Sequence, residues 1–316
     1  MVLKPKLLAL GSTNADFVVR VERLPDGAGA TVGDPLLRTS GGKAANRAVL
    51  AARLGVPAAL LSCVGDDDLA SQALAGPRAA NVDVAGVRQR PGTTGYSAVT
   101  VDDGGDKAIV VVLGANGRWG DESAEVAEEV VAAPDGSVLV VDVEVPPVLV
   151  VAALTAAHGR GFVTILDPAP PGQVTDELLA LGDHVTPDER EASELTGIRI
   201  ASIEDARRAA VSLRNRSVRH AHVKLSGGGC VTAGPQGVFI TDAPEDLDVV
   251  DTTGAGDAFA GGLAWALLEG ESVEVAVRTA VATATCAVTA LGSQESYPGI
   301  DGLGTMLARV PEPRRC

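Results

Sequence analysis

Residues 251–270 read DTTGAGDAFAGGLAWALLEG, a stretch in which a turn of small residues runs directly into an apolar pattern. Phe259, Leu263 and Leu267 recur at helical spacing, so a helix is predicted to begin close to Gly256. The backbone N–H groups at the start of a helix point outward, where the helix dipole also favours negative charge. The glycine-rich turn is therefore predicted to bind an anion, and phosphate is the usual one.

Asp257 stands beside this anion site, which Gly254, Ala255 and Gly256 would form with their N–H groups. A carboxylate there repels an anionic ligand unless it has a chemical role, such as taking a proton from an attacking hydroxyl. The alternative is that Asp257 is an ordinary acid in the first turn of a helix, where the dipole favours it. This segment by itself leaves both interpretations open.

The composition indicates a folded, acidic chain. Of its 316 residues 46% are hydrophobic and 21% are charged, and the aromatic share of 3% leaves a core of Ala, Val and Leu. The net charge of −15 argues against a nucleic-acid partner, which requires a basic surface. No apolar run is long enough to span a bilayer, and the N-terminus lacks the pattern of a signal peptide. The four cysteines show no metal-ligand spacing, and we expect a cytoplasmic location without a membrane partner.

Apolar, strand-like runs alternate with helix-period segments from about residue 41 onward, which predicts an α/β fold with a mostly parallel central sheet. The predicted strands are Lys6–Leu10, Ala58–Val64, Ser137–Val143, Val163–Leu166, His184–Thr186 and His222–Leu225. The predicted helices are Lys43–Leu54, Leu69–Ala79, Glu122–Ala132, Val148–His158, Ile203–Leu213, Gly256–Leu268 and Val273–Thr289.

Two further regions, Phe17–Arg38 and Thr94–Val112, show polar alternation and glycine turns instead. Strands of that kind do not suit the interior of a sheet that is covered on both faces. We interpret them as a small projecting β-sheet, a lid or a dimer face, and the alternative is a pair of surface hairpins without a function. The whole chain, 1–316, is predicted to be one domain, with the β lid formed by about 13–40 and 92–112.

Several short motifs place polar groups beside strand ends or helix starts. Lys43 and Asn46 open a helix after the two glycines of SGGKAAN at 40–46, which allow a ligand to approach the backbone. Asn14 and Asp16 alternate onto one side of an extended segment, where both could bind sugar hydroxyls. The alternative for these two residues is a pair of Asx turns that leave a strand.

Acidic residues also follow predicted strands. Glu144 ends an apolar strand, at the carboxyl edge where α/β sheets bind their ligands. Asp188 and Glu191 share one helix face, which suits outer-sphere binding of Mg²⁺, or else they form the two halves of a helix capping box. Residues 224–229 read KLSGGG, a flexible loop that could lie over a nucleotide.

Taken in order, these motifs resemble those of the PfkB-type, or ribokinase, family of ATP-dependent sugar and nucleoside kinases. The resemblance runs from about residue 7 to about residue 300. It is carried by GSTNAD at 11–16, SGGKAANRA at 40–48, CVGDDD at 63–68, LGAN at 113–116, DPAP at 167–170, TPDEREASELTG at 186–197 and DTTGAGDAFAGG at 251–262. The last of these is the most specific signature of the family.

The resemblance implies a Rossmann-like, three-layer α/β body with a β lid, and transfer of the γ-phosphoryl group of ATP to a primary hydroxyl, most closely that of D-ribose. It implies sugar binding by Asn14, Asp16, Gly42, Lys43, Asn46, Glu144 and Asp257. It implies that Asp257 is the catalytic base and that Gly254, Ala255 and Gly256 form the anion hole. It implies nucleotide binding by Asp188, Lys224, Ser226, Gly227, Gly229 and Gly256, and by the segment Val281–Thr285.

The resemblance further implies Mg²⁺ held through water near Glu191, and a potassium activator site at Asp251, Thr253, Val288, Gly292 and Ser296. A homodimer that associates through the lid is also expected. Three positions depart from the family pattern: Asp188 replaces the usual asparagine, Ser226 replaces a glycine, and Ala44 replaces the commoner glycine of GGKGAN. Fructose, a nucleoside or another small sugar remain alternative acceptors, and a non-catalytic sugar-binding protein remains the alternative from another class.

Overall fold

Two β-sheets form the framework of the protein in the computed structural model, which describes residues 4, 6–25, 30–104 and 107–316. The fourteen strands of this described part, β1 to β14, are Leu7–Leu10, Asn14–Val21, Leu37–Gly41, Ala58–Gly65, Val87–Arg90, Tyr96–Asp102, Lys107–Val112, Val138–Asp142, Val163–Asp167, His184–Val185, His220–Lys224, Cys230–Gly234, Gly237–Thr241 and Arg314–Arg315. Its eleven α-helices, α1 to α11, are Lys43–Arg53, Leu69–Ala73, Ala75–Ala79, Ser123–Val131, Pro147–Gly159, Asp176–Leu179, Glu189–Thr196, Ile203–Arg214, Ala255–Leu268, Val273–Val288 and Ile300–Leu307. Short 3₁₀ helices lie at Gly114–Gly117, Pro171–Gln173 and Gln294–Ser296.

The larger sheet has ten strands in the order β14-β13-β12-β11-β10-β9-β8-β1-β4-β5. The seven strands from β5 to β11 in this order are parallel to one another. The last three, β12 to β14, are antiparallel and extend one edge. The prediction of an α/β fold with a mostly parallel central sheet is therefore confirmed.

Helices cover both faces of this sheet. One core cluster joins it to α4, α5 and α8, and a second joins it to α1, α9 and α10. All eight residues of β4 are buried, and so are all four of β1, because a parallel strand between two helical layers contacts apolar side chains on both sides. Within the described residues, every helix is too short or too polar to cross a bilayer.

The strand order reverses between β1 and β8. From β1 the chain continues outward to β4 and β5, whereas from β8 it continues in the other direction to β9, β10 and β11. Loops that leave neighbouring strands in opposite directions open a crevice at the carboxyl ends of those strands. This reversal places the segments that follow β1 and β8 on either side of one crevice.

The smaller sheet has four strands in the order β3-β2-β6-β7. It is built from the two regions with polar alternation, so their interpretation as a separate small sheet is confirmed; residues 26–29 and 105–106 of those regions lie outside the described part. Its two faces differ. Asp16, Ser97 and Val111 are cross-strand neighbours on one face, and Phe17, Ala98 and Val110 are neighbours on the other.

One predicted helix differs from the structure. The segment Leu69–Ala79 forms two helices, α2 and α3, that meet at Leu74. Pro77 explains the break, because in a continuous helix its ring would clash with the carbonyl group of Ala73. Within α3 the proline lies in the first turn, where no intrahelical N–H bond is lost.

Candidate functional site

A cleft of about 810 Å³ opens at the carboxyl ends of the parallel strands. It is lined by the start of α9, by the C-terminal half of α10, by the loop after β11 and by the cleft-facing side of β7. The sequence-predicted residues that line it are Lys43, Asp188, Glu191, Lys224, Ser226, Gly227, Gly229, Gly254, Ala255, Gly256, Asp257 and Val288. The structure thus gathers the predicted anion hole, the predicted base and most of the predicted nucleotide set around one space.

Asp257 lies in the first turn of α9 and reaches toward α1. Two donors hold its carboxylate: Asn46 Nδ2 donates to Oδ2 at 2.8 Å, and Arg47 Nη2 donates to Oδ1 at 3.0 Å. Its side chain is 10% exposed, on the side that faces the cleft. The result is a carboxylate of fixed orientation that a bound hydroxyl group can still reach, as a general base requires.

Arg47, on α1, is a charged residue of this site that the sequence analysis did not single out. Its side chain is completely buried and pairs with three carboxylates, those of Asp142, Asp167 and Asp257. Nη1 lies 3.5 Å from Asp142 Oδ2, while Nη2 also makes a short hydrogen bond to Asp167 Oδ2. Burial by itself lowers the pKa of Arg47, but the three carboxylates raise that pKa above its ordinary value. The guanidinium therefore keeps its charge in the interior.

The two partner carboxylates end neighbouring strands, Asp142 on β8 and Asp167 on β9. Burial raises the pKa of Asp142, and Arg47 only partly opposes that rise. Burial also acts to raise the pKa of Asp167, but Lys224, Arg47 and Lys43 together lower it. Lys224 Nζ lies 3.7 Å from Asp167 Oδ1, so a second cation reaches the cluster from the nucleotide side.

The turn before α9 has the backbone shape of an anion site. Gly254 has a φ of 77°, and an added Cβ would lie 2.7 Å from Ser293 Cβ, so a side chain is excluded on two grounds. The first helical hydrogen bond runs from Ala258 N to Gly254 O, and Tyr297 donates its hydroxyl proton to the same carbonyl. The N–H groups of Gly256 and Asp257 precede that first bond and are directed out of the helix end. Lys224 Nζ lies beside Gly256.

Two of the predicted sugar-binding residues lie on the smaller sheet, and the others lie at the start of α1, after β8 and on α9. Asn14 and Asp16 belong to β2, so the extended conformation applies to them and not a pair of Asx turns. Asn14 Oδ1 accepts a hydrogen bond of 2.8 Å from Asn116 Nδ2, and Asn116 Oδ1 accepts from Thr13 N. Asn116, from the LGAN motif, is fully buried and fixes the orientation of Asn14.

Asp16 Oδ1 accepts a hydrogen bond of 2.6 Å from Ser97 Oγ. Burial raises the pKa of Asp16 to about 6; the hydrogen bond from Ser97 lowers it, and the carboxylates of Asp257 and Glu144 raise it. The other oxygen lies where a side chain at Gly41 would stand, 1.8 Å from an added Cβ. Only a glycine at position 41 therefore leaves room for the Asp16 carboxylate.

Gly42 is the N-cap residue of α1 and has a φ of 92°. An added Cβ there would lie 2.6 Å from Ser12 O, so only glycine allows the helix start to approach the loop after β1 this closely. Lys43 follows, with its N–H bonded to Ser12 Oγ and its Nζ 4.0 Å from Glu144 Oε1. Lys43 and Glu144 therefore lie together at the crevice between β1 and β8.

Asn46 is oriented by Gln294, a second residue that the sequence analysis did not identify. Gln294 Nε2 donates to Asn46 Oδ1 at 3.0 Å, and Gln294 Oε1 accepts from Ser40 Oγ at 2.6 Å. Since Asn46 Nδ2 gives one proton to Asp257, a single N–H of this amide is left for a ligand. Gln294 is buried, in the 3₁₀ helix that follows Gly292.

Asp188 and Glu191 form a complete capping box at the start of α7. Glu191 N donates to Asp188 Oδ1 at 2.7 Å, and Asp188 N donates to Glu191 Oε2 at 2.8 Å. The structural alternative is therefore realised, and one oxygen of each carboxylate is already engaged. Both residues still line the cleft. Lys224 forms a β-bridge with Asp188, and its Nζ lies beside Gly256.

The donor set fits Mg²⁺ that is bound mainly by water and phosphate. No group of three or more His, Cys, Asp or Glu side chains suited to hold a metal occurs in the described part of the chain. Glu191 leaves one carboxylate oxygen free at the cleft, and Mg²⁺ commonly keeps several waters and uses one or two carboxylates together with substrate phosphates. An outer-sphere role for Glu191 is compatible with this geometry.

Four of the five residues predicted for potassium are joined by hydrogen bonds that meet at Asp251. Asp251 Oδ1 accepts from Thr253 N at 2.9 Å, and Asp251 Oδ2 accepts from Gly292 N at 3.0 Å. The carbonyl of Val288 accepts from Val250 N and Asp251 N. Ser296 follows in the same loop, where its hydroxyl donates to Ser293 O. Carboxylate and carbonyl oxygens of this kind are suitable ligands for K⁺.

Comparison with known proteins agrees with this architecture. The family model "pfkB family carbohydrate kinase" matches residues 4–299. A ribokinase of Haemophilus influenzae is 33% identical over 94% of this chain and 96% of its own length. A deoxyribokinase of Salmonella typhi is 29% identical over 96% of this chain and 98% of its own length.

A solved structure of Arabidopsis thaliana ribokinase, complexed with ribose and ATP, superposes with a TM-score of 0.85 at 29% identity, covering 96% of this chain and 99% of that one. The predicted family, with its ATP-dependent kinase chemistry, is confirmed by the extent of these matches. The roles of individual site residues stay predictions. On the match of its sequence over nearly its whole length, the chain belongs to the pfkB family of carbohydrate kinases.

Proposed function

We propose that this protein transfers the γ-phosphoryl group of ATP to the primary hydroxyl of D-ribose and forms ribose 5-phosphate. The observation that carries the proposal is the position of Asp257: it lies between the amide turn of α9 and the polar groups of α1, with its carboxylate facing the cleft. The relatives named ribokinase and the ribose and ATP complex of the Arabidopsis protein support ribose and ATP as the substrates.

The sugar pocket is suited to an unphosphorylated polyhydroxyl ring. Asp16 and Asp257 offer acceptors, and Asn46 and Lys43 offer donors. A hydroxyl that accepts from the free N–H of Asn46 could donate its own proton to the adjacent oxygen of Asp257. We assign Asn14 and Glu144 to further ring hydroxyls, with Gly42 making room for the sugar.

The nucleotide is assigned to the other end of the cleft. Lys224 and the N–H groups from Gly254 to Gly256 would bind the terminal phosphates, where the helix dipole favours their charge, and Ala255 N would then give up its long bond of 3.4 Å to Thr252 O. Ser226, Gly227 and Gly229 would lie beside the purine and ribose, opposite the segment Val281–Thr285. Glu191 and Asp188 would hold Mg²⁺ through water, and the ion would supply neutralisation of part of the negative charge of these phosphates.

Phosphoryl transfer depends on in-line positioning and charge stabilisation more than on covalent catalysis. The polar groups of β2 and α1 orient the sugar, and Asp257 accepts the proton of the attacking hydroxyl. The amides of the α9 turn and Lys224 stabilise the charge that develops on the transferred group. We assign an activating K⁺ to the oxygens around Asp251, where it would fix the shape of the turn that leads to Gly254.

We further assign the smaller sheet, about 13–40 and 92–112, the role of a lid within a single domain. Lys107, Ile109 and Val111 of β7 face the cleft, and Lys107 Nζ donates to Thr252 Oγ1 at 3.0 Å, next to the anion turn. A partly exposed apolar surface in this position can close over bound substrates and exclude water. The opposite face of the sheet is proposed as the surface of a homodimer.

The test is a coupled assay of ADP release with ribose, 2-deoxyribose, fructose and adenosine, each with and without K⁺. We expect the highest kcat/KM for ribose, an increase with K⁺, and little ADP release without sugar. The match to a deoxyribokinase makes 2-deoxyribose the second candidate acceptor. A higher kcat/KM for deoxyribose would assign that sugar instead. Sugar binding by calorimetry without any ADP release would indicate a non-catalytic sugar-binding protein.

A further inference from the structure

We propose that Arg47 is a positioning residue for phosphoryl transfer: it holds the Asp257 carboxylate in its reactive orientation. This inference rests on the proposed function, because it assumes that Asp257 accepts the proton of the sugar hydroxyl. Arg47 does not reach the cleft itself, so it acts through Asp257 and does not contact substrate.

The geometry links Arg47 to one defined oxygen of the carboxylate. Nη2 is 3.0 Å from Asp257 Oδ1, while Asn46 Nδ2 is 2.8 Å from Asp257 Oδ2. With one donor on each oxygen, the carboxylate cannot rotate without losing a hydrogen bond. A carboxylate oxygen accepts more than one hydrogen bond, so each oxygen keeps a lone pair for a substrate hydroxyl.

The stability of the fold does not by itself explain why an arginine is buried at position 47. Burying a guanidinium is costly unless its donors are well paired, yet Nε and Nη1 of Arg47 have no hydrogen-bond partner. The donor that is well placed is Nη2, which binds Asp167 and Asp257 together. Buried donors left without partners are uncommon in native proteins and call for an explanation. A requirement for the orientation of Asp257 supplies one.

On the side away from Asp257, Arg47 pairs with Asp142, a carboxylate that is itself held in place. Asp142 accepts from Ser12 N at 3.3 Å and from Glu144 N at 3.0 Å, so backbone groups after β1 and β8 hold this carboxylate. Asp142 also occupies the space that a side chain at Gly11 would need. The guanidinium is thus fixed by two strand ends of the larger sheet, and it transmits that fixed position to Asp257.

Arg47 Nη2 and Asp257 Oδ1 form an ion pair of 3.0 Å in a buried setting, where water screens the attraction less than at the surface. Other charges act on the same group and must be held constant in a test. Those that interact electrostatically with Asp257 or with Arg47 are Asp16, Lys43, Asp142, Glu144, Asp167 and Tyr297, and Lys224 lies beside them. Among these groups Arg47 is the one that donates directly to Asp257.

The experiment compares wild type with Arg47→Lys, Arg47→Gln and the double variant Arg47→Gln/Asp167→Asn. The double variant removes one positive and one negative charge together, so it guards against loss of folding, which thermal unfolding checks. Arg207→Gln, which removes an exposed arginine pair with Glu204 on α8, is the matched control.

Two quantities are measured for each protein. The first is kcat for ribose together with the KM for ATP. The second is the chemical shift of the Asp257 carboxyl carbon, recorded by NMR with ¹³C-labelled aspartate and assigned by loss of its signal in Asp257→Asn.

In the glutamine variants we expect kcat to fall by at least about tenfold, while the KM for ATP stays within about twofold. The Asp257 carboxyl signal should move, because the carboxylate loses its hydrogen bond from Arg47 Nη2. Arg47→Lys should keep part of kcat, because the charge remains and only the fork of donors is lost.

An unchanged Asp257 carboxyl signal in a folded glutamine variant would overturn the proposal. So would a kcat that stays near that of wild type in these variants, or one that falls only in proportion to their loss of folded protein, since that result describes a merely structural arginine. The NMR measurement does not depend on turnover. If wild type phosphorylates no sugar, the proposed function fails, while the coupling of Arg47 to Asp257 is still measured.

Discussion

At the scale of single residues, the site depends on a carboxylate that is held from two sides. Asp257 accepts from both Asn46 and Arg47, and Asn46 is in turn held by Gln294. This chain of donors means that replacing one group changes the orientation of the next. Substitutions in the site should therefore affect turnover more than they affect the affinity for ATP.

Asp257→Asn should lower kcat by about a hundredfold or more, because the amide cannot accept the hydroxyl proton. The Kd for MgATP should change little. The affinity for sugar should fall modestly, since the new amide places an N–H opposite either Asn46 Nδ2 or Arg47 Nη2, which both donate to Asp257. Stopped assays of turnover and calorimetry with each ligand separate these effects. A kcat within tenfold of wild type would remove the assignment of Asp257 as the base.

Asp16 should make sugar binding depend on pH. Its pKa in the folded protein is about 6, above the ordinary value of 3.8, so the carboxyl takes up a proton as the pH falls through about 6. If Asp16 binds a sugar hydroxyl as an anion, the KM for ribose should rise at that pH, by up to about tenfold one unit lower.

The control for this pH dependence is a substitution of Ser97, the hydrogen-bond partner of Asp16. Ser97→Ala removes the hydrogen bond that lowers the pKa of Asp16, so the midpoint of the KM profile should move to higher pH. Asp16→Asn should abolish the dependence altogether. A wild-type KM that is constant from pH 5 to pH 8 would contradict a role for the ionised carboxylate.

At the scale of helices, the close approach of α9 and α10 fixes the start of α9 and hence the anion turn. An added Cβ at Gly262 would lie 2.1 Å from Thr283 Oγ1, and that hydroxyl also donates to Ala258 O near the helix start. Gly262→Ala should destabilise the protein by about 1–3 kcal/mol, because Thr283 is β-branched and buried and cannot move aside.

The matched control is Gly304→Ala in α11, where an added methyl group meets no atom within 4 Å. That change should stabilise the protein by about 0.5–1 kcal/mol, the usual advantage of alanine within a helix. Urea unfolding of the two variants beside wild type measures the contrast. Equal stabilities of the two variants would show that the helix contact has no energetic consequence.

Six of the seven parallel strands of the larger sheet were predictable, because parallel strands buried on both faces leave continuous apolar runs, whereas the antiparallel strands β12 to β14 were not predicted. The predicted strands at 58–64 and 163–166 correspond to β4 and β9, which each extend one residue further. The strand β5, VRQR, was missed because an edge strand with partly exposed side chains has no such run. The turn and base of the site were found because they are contiguous in sequence.

The charge cluster was not found, because its members come together only in the fold. Arg47, Asp142 and Asp167 lie on α1, β8 and β9. An arginine in an alanine-rich helix reads as a solvent-facing residue, although its neighbours Asn46 and Ala48 are both buried. One signal was available: two aspartates end otherwise apolar strands at the carboxyl edge, where unpaired charge would be costly. Such a pair predicts a buried cation nearby.

At the scale of the whole molecule, the two faces of the smaller sheet have different surroundings. Asp16, Ser97 and Val111 lie on its cleft side, whereas Phe17, Ala98 and Val110 lie on the outer side. The outer side is largely apolar, and Val110 is 63% exposed. Apolar neighbours exposed together on a flat sheet are typical of an interface between subunits. We therefore expect the cleft side to serve catalysis and the outer side to serve association.

Val110→Glu should therefore convert the proposed homodimer into a monomer, because a carboxylate buried in an apolar interface loses its hydration. The residue points away from the cleft, so the fold and the binding of ATP should be retained. Val148→Glu is the control. Val148 is 57% exposed and lies on α5, which covers the face of the larger sheet opposite to the one covered by α1 and α9. Light scattering after size-exclusion chromatography gives the mass of each protein. A dimeric Val110→Glu variant would place association elsewhere, and a monomeric wild type would exclude it. A monomeric Val110→Glu variant together with a dimeric Val148→Glu variant would assign the interface to the outer face of the smaller sheet.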